Sequence, residues 1–518
     1  MEAEPSLLVI SFILFLILHW LAKYYKSSVA HKLPPGPRKL PIIGNLHQLA
    51  RAGSLPHHAL RDFAHKYGPL MHLRLGEIST VVVSSSRLAR EVMKTHDMSF
   101  VNRPNLLPAQ IFTYGGIDIA FAPYGDYWRQ IRKVCTLELL SAKKVQSFSY
   151  IREDETAKFI ESIKLSAGSE INLTSRISSL VSAFVFRAAF GNISTDQREF
   201  ANLQTQVVAN IGGFDLADLF PSVKILNYIT GKKPKMEKLQ EKLDKIYENI
   251  VMEHREKRAR AKGSIIKEED EDLVDVLLRI QESGSLGIEM ATQNIKAVIS
   301  DVFVAGIDTS VSIIDWAMSE LMKKPEVREK AQAEVRQAFK GKRIIHESDV
   351  EELSYLKLVY KETLRLHPPA PLLLPRECSE LTIIDGYEIP VKTKIMVNVW
   401  AMGRDPQYWD DAEKFIPERF DGSSIDFKGN NFEYLPFGAG RRMCPGMSFG
   451  LSLIMLPLAL LLYHFNWELP NGMKPEDVDM TENFGLAIRR RSNSYLIPTV
   501  YDLVSSCNIK LIQGSTVS

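Results

Sequence analysis

The sequence predicts a mainly α protein with a smaller β part, arranged as one large domain behind a single N-terminal membrane-spanning helix. Three observations point there: an apolar run near the start, helical patterning over most of the chain beyond Leu46, and strand-like runs that are short and early, such as 71–76 and 79–85. At 518 residues the length alone would suggest roughly three domains of about 150 residues. Charge nearly cancels, 64 Lys and Arg against 62 Asp and Glu, which excludes the one-signed footprint of a nucleic-acid binder. Cys135, Cys378, Cys444 and Cys507 are far apart and form no CxxC pair. Neither a disulfide framework nor a cysteine-rich zinc site is expected, and the body belongs in a reducing compartment.

Residues 7–22 read LLVISFILFLILHWLA, with His19 the only titratable side chain. As a helix this run spans about 24 Å, slightly less than a hydrocarbon core of about 30 Å, and Tyr24 and Tyr25 suit the interface. The small residues of SVA at 28–30 offer the alternative of a cleaved signal peptide. The flanks favour an uncleaved anchor: Glu2 and Glu4 precede the run, and Lys23, Lys26, Lys32, Arg38 and Lys39 follow it. By the positive-inside rule residues 1–6 are then lumenal and the body is cytoplasmic. Residues 23–45 form a basic, proline-rich hinge, with Pro34, Pro35, Pro37 and Pro41 making it stiff and extended.

From Pro234, the spacing of Met236, Leu239, Leu243, Ile246 and Ile250 predicts an amphipathic helix whose lysines and glutamates are its solvated face. The acidic run KEEDED at 267–272 reads as an exposed loop. The apolar run at 451–463 is too short for a second span and contains Pro457, so a buried, locally kinked helix is expected.

The stretch FGAGRRMCPG, 437–446, sets Cys444 just before that helix. Unpaired backbone N–H groups and the positive end of the helix dipole favour thiolate there. Gly438 and Gly440 permit a tight turn and close approach of a flat ligand. An isolated cysteine is more often an inert core residue. The stretch, however, matches F-x-x-G-x-R-x-C-x-G at every fixed position and resembles the cytochrome P-450 superfamily of haem-thiolate monooxygenases. The resemblance implies that fold, with haem b as cofactor, Cys444 as iron ligand, Arg442 on a haem propionate and Phe437 near the sulfur.

Other motifs agree. AGIDTS at 305–310 resembles the family's central helix over the distal face. It implies that Ala305 and Gly306 leave room for oxygen and substrate, and that Thr309 with Asp308 delivers protons. The plain alternative is a Thr309 hydroxyl bonded back to the Ala305 carbonyl, which would itself loosen the helix locally. KETLRLHPP at 361–369 puts Glu362 and Arg365 on one helix face; with Arg419 of FIPERF they match the family's structural lock. Trp128 and Arg132 of YGDYWRQIRK, and Arg376 of LLLPREC, resemble further propionate partners, the cations a buried dianionic porphyrin needs. These motifs serve one cofactor, so the domain is expected to be undivided over 46–500, with 501–518 a tail of no assigned role. In detail the chain looks most like plant microsomal enzymes of family 71, subfamily D.

The resemblance implies insertion of one atom of O2 into a small lipophilic plant metabolite, a terpenoid or a flavonoid. No second Gly-rich dinucleotide motif or flavin domain is present, so electrons from NADPH are expected through a separate microsomal reductase. By analogy the substrate pocket includes Phe112, Ile117, Val304, Leu373, Leu374 and Leu486, mostly apolar. Asp301 reads first as a structural carboxylate and second as a substrate partner. The expected location is the endoplasmic reticulum membrane, single-pass, body facing the cytoplasm. The rivals are a haem-thiolate isomerase or dehydratase needing no external electrons, and a non-enzymatic haem-binding membrane protein; neither requires the Asp308–Thr309 pair.

Overall fold

The computed structural model describes Ser11 and residues 31–501, except 52, 54, 192, 194, 195, 212–214, 261–270, 285, 286 and 486. The expected anchor (apart from Ser11), the first part of the hinge, Leu486 and the tail from 502 lie outside the described residues.

Helices dominate. The elements used below are α1 (Pro56–Tyr67), β1 (Leu70–Leu75), β2 (Ile78–Val83), α2 (Asp126–Val134), α3 (Ser149–Lys164), β3 (Ile171–Asn172), α4 (Leu173–Phe190), α5 (Lys232–Arg260), α6 (Leu273–Ser283), α7 (Thr292–Lys323), α8 (Pro325–Ala338), α9 (Ser354–Leu366), β4 (Arg376–Glu377), β5 (Lys394–Val397), α10 (Met447–His464), β6 (Phe465–Glu468), β7 (Glu482–Asn483), β8 (Arg489–Arg490) and β9 (Tyr495–Val500). Strands β1 and β2 pair antiparallel, Leu70 opposite Val83; β2 runs parallel to β5, and β4 closes that sheet. A second sheet has the order β3-β9-β6.

Helix α7, about 48 Å long at 1.5 Å per residue, is apolar nearly all round and is buried between α4, α9 and α10, as such a pattern demands. The Asn294 carboxamide accepts the Ala291 N–H at 2.7 Å at its start, and Pro325 follows its end. Where α7 meets α4, Phe303 stacks on Phe190 and meets Phe186 and Phe200 edge-on. Helices α7 and α10 are the two described helices long and apolar enough to cross a membrane, yet most of each lies inside the protein. The run 451–463 is accordingly a core helix, with Pro457 inside it.

Three expectations change. The hinge residues 32–45 are not a free spacer: His72 N–H bonds the Pro35 carbonyl (2.9 Å), Asn45 accepts from Arg74 N–H (2.7 Å), and a Cβ on Gly36 would fall 2.0 Å from the His72 carbonyl oxygen. Prolines keep the segment extended, and an extended segment can dock along an open sheet edge. The body therefore begins before residue 46. The solvated face of α5 is interrupted by contacts with other elements, described below for Asp244 and Glu248. The end of the acidic run is buried: Glu271 pairs with Arg279 at 3.0 Å, and Asp272 caps α6 by accepting the Asp275 N–H at 2.9 Å.

Candidate active site

The stretch around Cys444 is shaped by backbone. Gly438 and Gly440 have φ of +70° and +69°, and the Cys444 N–H closes the turn on the Phe437 carbonyl at 3.0 Å. A Cβ on Gly440 would lie 2.3 Å from the Met93 carbonyl oxygen, so this glycine is needed for packing against the protein itself, not only for a ligand. Gly446 is the N-cap of α10, leaving Cys444 just outside the helix. Its side chain is open while Arg442 and Ala439 beside it are buried. Desolvation by the surrounding protein pushes the thiol up, against the Gly446 N–H and Arg132, which pull it down. A metal cation at the sulfur would reverse that balance. The Phe437 ring packs on Phe427, with centroids 5.5 Å apart.

On α7, Ala305 is exposed between half-buried Val304 and Gly306, and Thr309 donates its hydroxyl proton to the Ala305 carbonyl at 2.7 Å. This is the back-bonded conformation. Gly306 faces away, since a Cβ there would touch Val185 and Phe449 at 3.6 and 3.7 Å; its smallness serves contact of α7 with α4 and α10. The helix that follows Cys444 and the helix that carries Ala305 thus meet at Gly306 and Phe449. Asp308 is buried and ion-paired with Arg489 of β8, so it is not free beside Thr309. Burial raises its pKa and Arg489 opposes the rise. Nothing in the spacing of the arginine run 489–491 marked Arg489 as this partner.

Four guanidinium groups converge beside the Cys444 loop. Arg442 donates to the carbonyls of Val101 (2.8 Å) and Ala122 (2.6 Å), Arg376 to Asp97 (2.8 Å) and the Ala439 carbonyl (2.8 Å), and Arg132 to the Met443 carbonyl. The fourth, Arg103, donates to the carbonyls of Ala120, Leu374 and Pro375. Arg103 stands alone in VNRPN, with no motif spacing to reveal it. Burial, then the charges of Arg376 and Arg442, push Arg103 well below the usual arginine range, and burial with Arg376 brings Arg442 down to about 10. Arg376 already has Asp97 as counter-ion, whereas the hydrogen bonds of Arg103, Arg132 and Arg442 go to neutral carbonyls; guanidinium groups so placed fit an anion among them, as a porphyrin's two carboxylates would be. The residues present therefore fit haem: a thiol for the metal and arginines for the propionates. The Trp128 Nε1–H donates to the Ile119 carbonyl at 2.9 Å, and the Arg442 guanidinium stacks 4.2 Å from its ring.

Glu362, Arg365 and Arg419 come together in the core. Arg365 grips Glu362 through Nε and Nη2, each at 2.7 Å, with both side chains fully buried, and Arg419 Nε reaches the same carboxylate at 3.0 Å. Remaining Arg365 protons go to the carbonyls of Gly403, Ala412 (2.7 Å) and Lys414 (3.0 Å).

Among residues expected to line the pocket, Ile117, Val304, Leu373 and Leu374 are half-buried, whereas Phe112 is enclosed in the main core, 2% exposed. Leu373 holds φ of +50°. Asp301 is structural: its Oδ2 accepts the N–H groups of Ile119 (2.8 Å) and Ala120 (3.2 Å), tying the segment after Phe112 to α7. Burial and neighbouring Asp118 raise its pKa well above the carboxylate range.

The family model described as Cytochrome P450 matches residues 34–497. Cytochrome P450 71D8 of Glycine max is 64% identical over 97% of this chain and 100% of its own length. Desmethyl-deoxy-podophyllotoxin synthase of Sinopodophyllum hexandrum is 56% identical (95% and 96% covered), and premnaspirodiene oxygenase of Hyoscyamus muticus 54% (95% and 98%). Among solved structures, a zebra fish cytochrome P450 with progesterone superposes with a TM-score of 0.74 at 26% identity, covering 86% of this chain and 100% of that one. With this match over nearly the whole body, and a cysteine loop flanked by buried arginines, the chain belongs to the cytochrome P450 family and is a monooxygenase of the oxidoreductase class.

Proposed function

We propose that this protein is anchored in the endoplasmic reticulum membrane by residues 7–22, takes electrons from NADPH through a separate reductase, and oxygenates a neutral, lipophilic terpenoid. The observation that carries the site assignment is the open Cys444 thiol in a loop onto which Arg442, Arg376, Arg132 and Arg103 converge, just before α10, the helix that packs on α7 beside exposed Ala305. The terpenoid reading rests on the relative named premnaspirodiene oxygenase and on the mostly apolar side chains near the site; the podophyllotoxin-type relative makes an aromatic polycycle the nearest competitor.

Bound haem supplies O2 activation and oxygen transfer. The chain's part is to hold it and move protons. Cys444 would hold the metal, and Arg442, Arg376, Arg132 and Arg103 are the cations available to the propionates. Thr309 already spends its proton on the Ala305 carbonyl, leaving its oxygen lone pairs free to accept a proton or orient a water. Arg489 holds one oxygen of the Asp308 carboxylate and favours its charged form, so any proton passed through Asp308 is taken up against that pairing. The test is product identification with the full chain and reductase against panels of terpenoid hydrocarbons and flavonoids. NADPH-dependent oxygenated terpenoid is expected; turnover of only flavonoids contradicts the substrate, and turnover without NADPH favours the isomerase.

A further inference from the structure

Segment 113–121 joins Phe112 to α2 and holds three consecutive residues at positive φ: Tyr114 (+52°), Gly115 (+87°) and Gly116 (+82°). Glycine adopts that region freely; a tyrosine does so at a cost and stays there only if something holds it. What holds it lies on two other elements. The Tyr114 hydroxyl donates to Asp244 Oδ1 of α5 at 2.7 Å, and the same oxygen accepts from Lys296 Nζ of α7 at 2.7 Å. Lys296 is 4% exposed, and its second carboxylate is Glu248, also of α5, at 2.7 Å. Buried ammonium needs both acids, so α5 cannot part from α7 without stranding the charge.

The far end of the segment is pinned to α7 by Asp301, four residues and so about one turn before exposed Ala305. Between its ends the Tyr127 hydroxyl holds the Ile117 carbonyl and the Gly115 N–H bonds the Gln110 carbonyl at 2.8 Å, while at the near end Tyr114 supplies the tie to α5. With the hydroxyl released, the tyrosine loses its tie to α5 and can leave its unfavourable conformation, and exposed Gly115 next to it offers no side chain to resist the change.

We infer that Tyr114 is a positioning residue, a latch which, through Asp244 and Lys296, closes segment 113–121 over the α7 face at Ala305 and limits how fast bulky molecules reach the site. It acts through the segment and touches neither cofactor nor reacting atoms. The inference rests on family membership and the site's location, not on the terpenoid substrate.

The test uses the full-length haem-loaded protein and two iron-binding probes, imidazole and the much bulkier clotrimazole, followed by stopped-flow absorbance. Tyr114→Phe should raise the clotrimazole association rate roughly fivefold, the scale of one lost hydrogen bond, and leave imidazole within about twofold. Asp244→Ala should do the same, and the double variant no more than either single one, as expected for partners in one interaction. Glu248→Gln, which spares Tyr114, should leave the ratio of the two rates unchanged. Should Asp244→Ala fail to load haem, the conservative Tyr114→Phe decides alone. Equal changes for both probes, no change for clotrimazole, or additive effects would overturn the latch.

Discussion

Thr309 shows how far a single residue can be read. The motif picked it out as a proton carrier beside Asp308; the structure bonds it to the Ala305 carbonyl and gives Asp308 to Arg489. A spacing identifies residues on one helix but not the strand that returns from 181 positions away to neutralise one of them. Thr309→Ala should leave haem content nearly intact while product formed per NADPH falls severalfold and hydrogen peroxide rises, a loss of roughly 1 kcal/mol or more in partitioning. Unchanged coupling would assign proton delivery to another group. Arg103 makes the complementary point, because a lone arginine before a proline carries no sequence signal, and its meaning lies in the arginines around it. Arg103→Ala should lower haem retention during purification, measured as haem per chain; full retention would remove it from the cofactor site.

Elements were more legible than their partners. The apolar periodicity of α5 and the apolar run of α10 follow from burial and were visible as patterns, while α7 was marked by its AGIDTS motif. The buried end of the acidic run and the docked hinge were not, since both depend on a distant acceptor: a capping carboxylate in one case, a sheet edge in the other. The i, i+3 pair Glu362–Arg365 would mean little on an exposed helix. In the core, with Arg419 and three carbonyls around it, it joins α9 to the segment 403–419. Glu362→Gln leaves two guanidinium groups short of a buried counter-charge and should cost about 3–5 kcal/mol, seen as a lower unfolding midpoint and poor haem loading. Stability equal to wild type would contradict the lock.

At the scale of the molecule, length suggested several domains, and one set of motifs converging on one cofactor argued against dividing them. Sheets that pair strands from distant parts of the chain, β2 with β5 and β3 with β9, and the match over 34–497 agree with a single body. The orientation in the membrane remains a proposal with a direct check. Asn172 heads an N-x-T sequon but caps α4, accepting the Ser175 N–H at 2.9 Å; a second sequon begins at Asn192. A cytoplasmic body is never exposed to the glycosyl transferase, so both asparagines should be unmodified in the native cell and the N-terminus uncleaved. A glycan on either, or a mature chain starting after Ala30, would reverse the topology.

The central claim is that Cys444 binds the haem iron as thiolate, and the reduced protein's absorbance with carbon monoxide tests it most directly. The wild-type chain should give the band at about 450 nm that thiolate ligation produces, and Cys135→Ser and Cys378→Ser should keep it. Cys444→Ser should lose both the band and all turnover, because a neutral alcohol neither binds iron strongly nor donates comparable charge. A Cys444→Ser protein that retained the band and its activity would contradict the account.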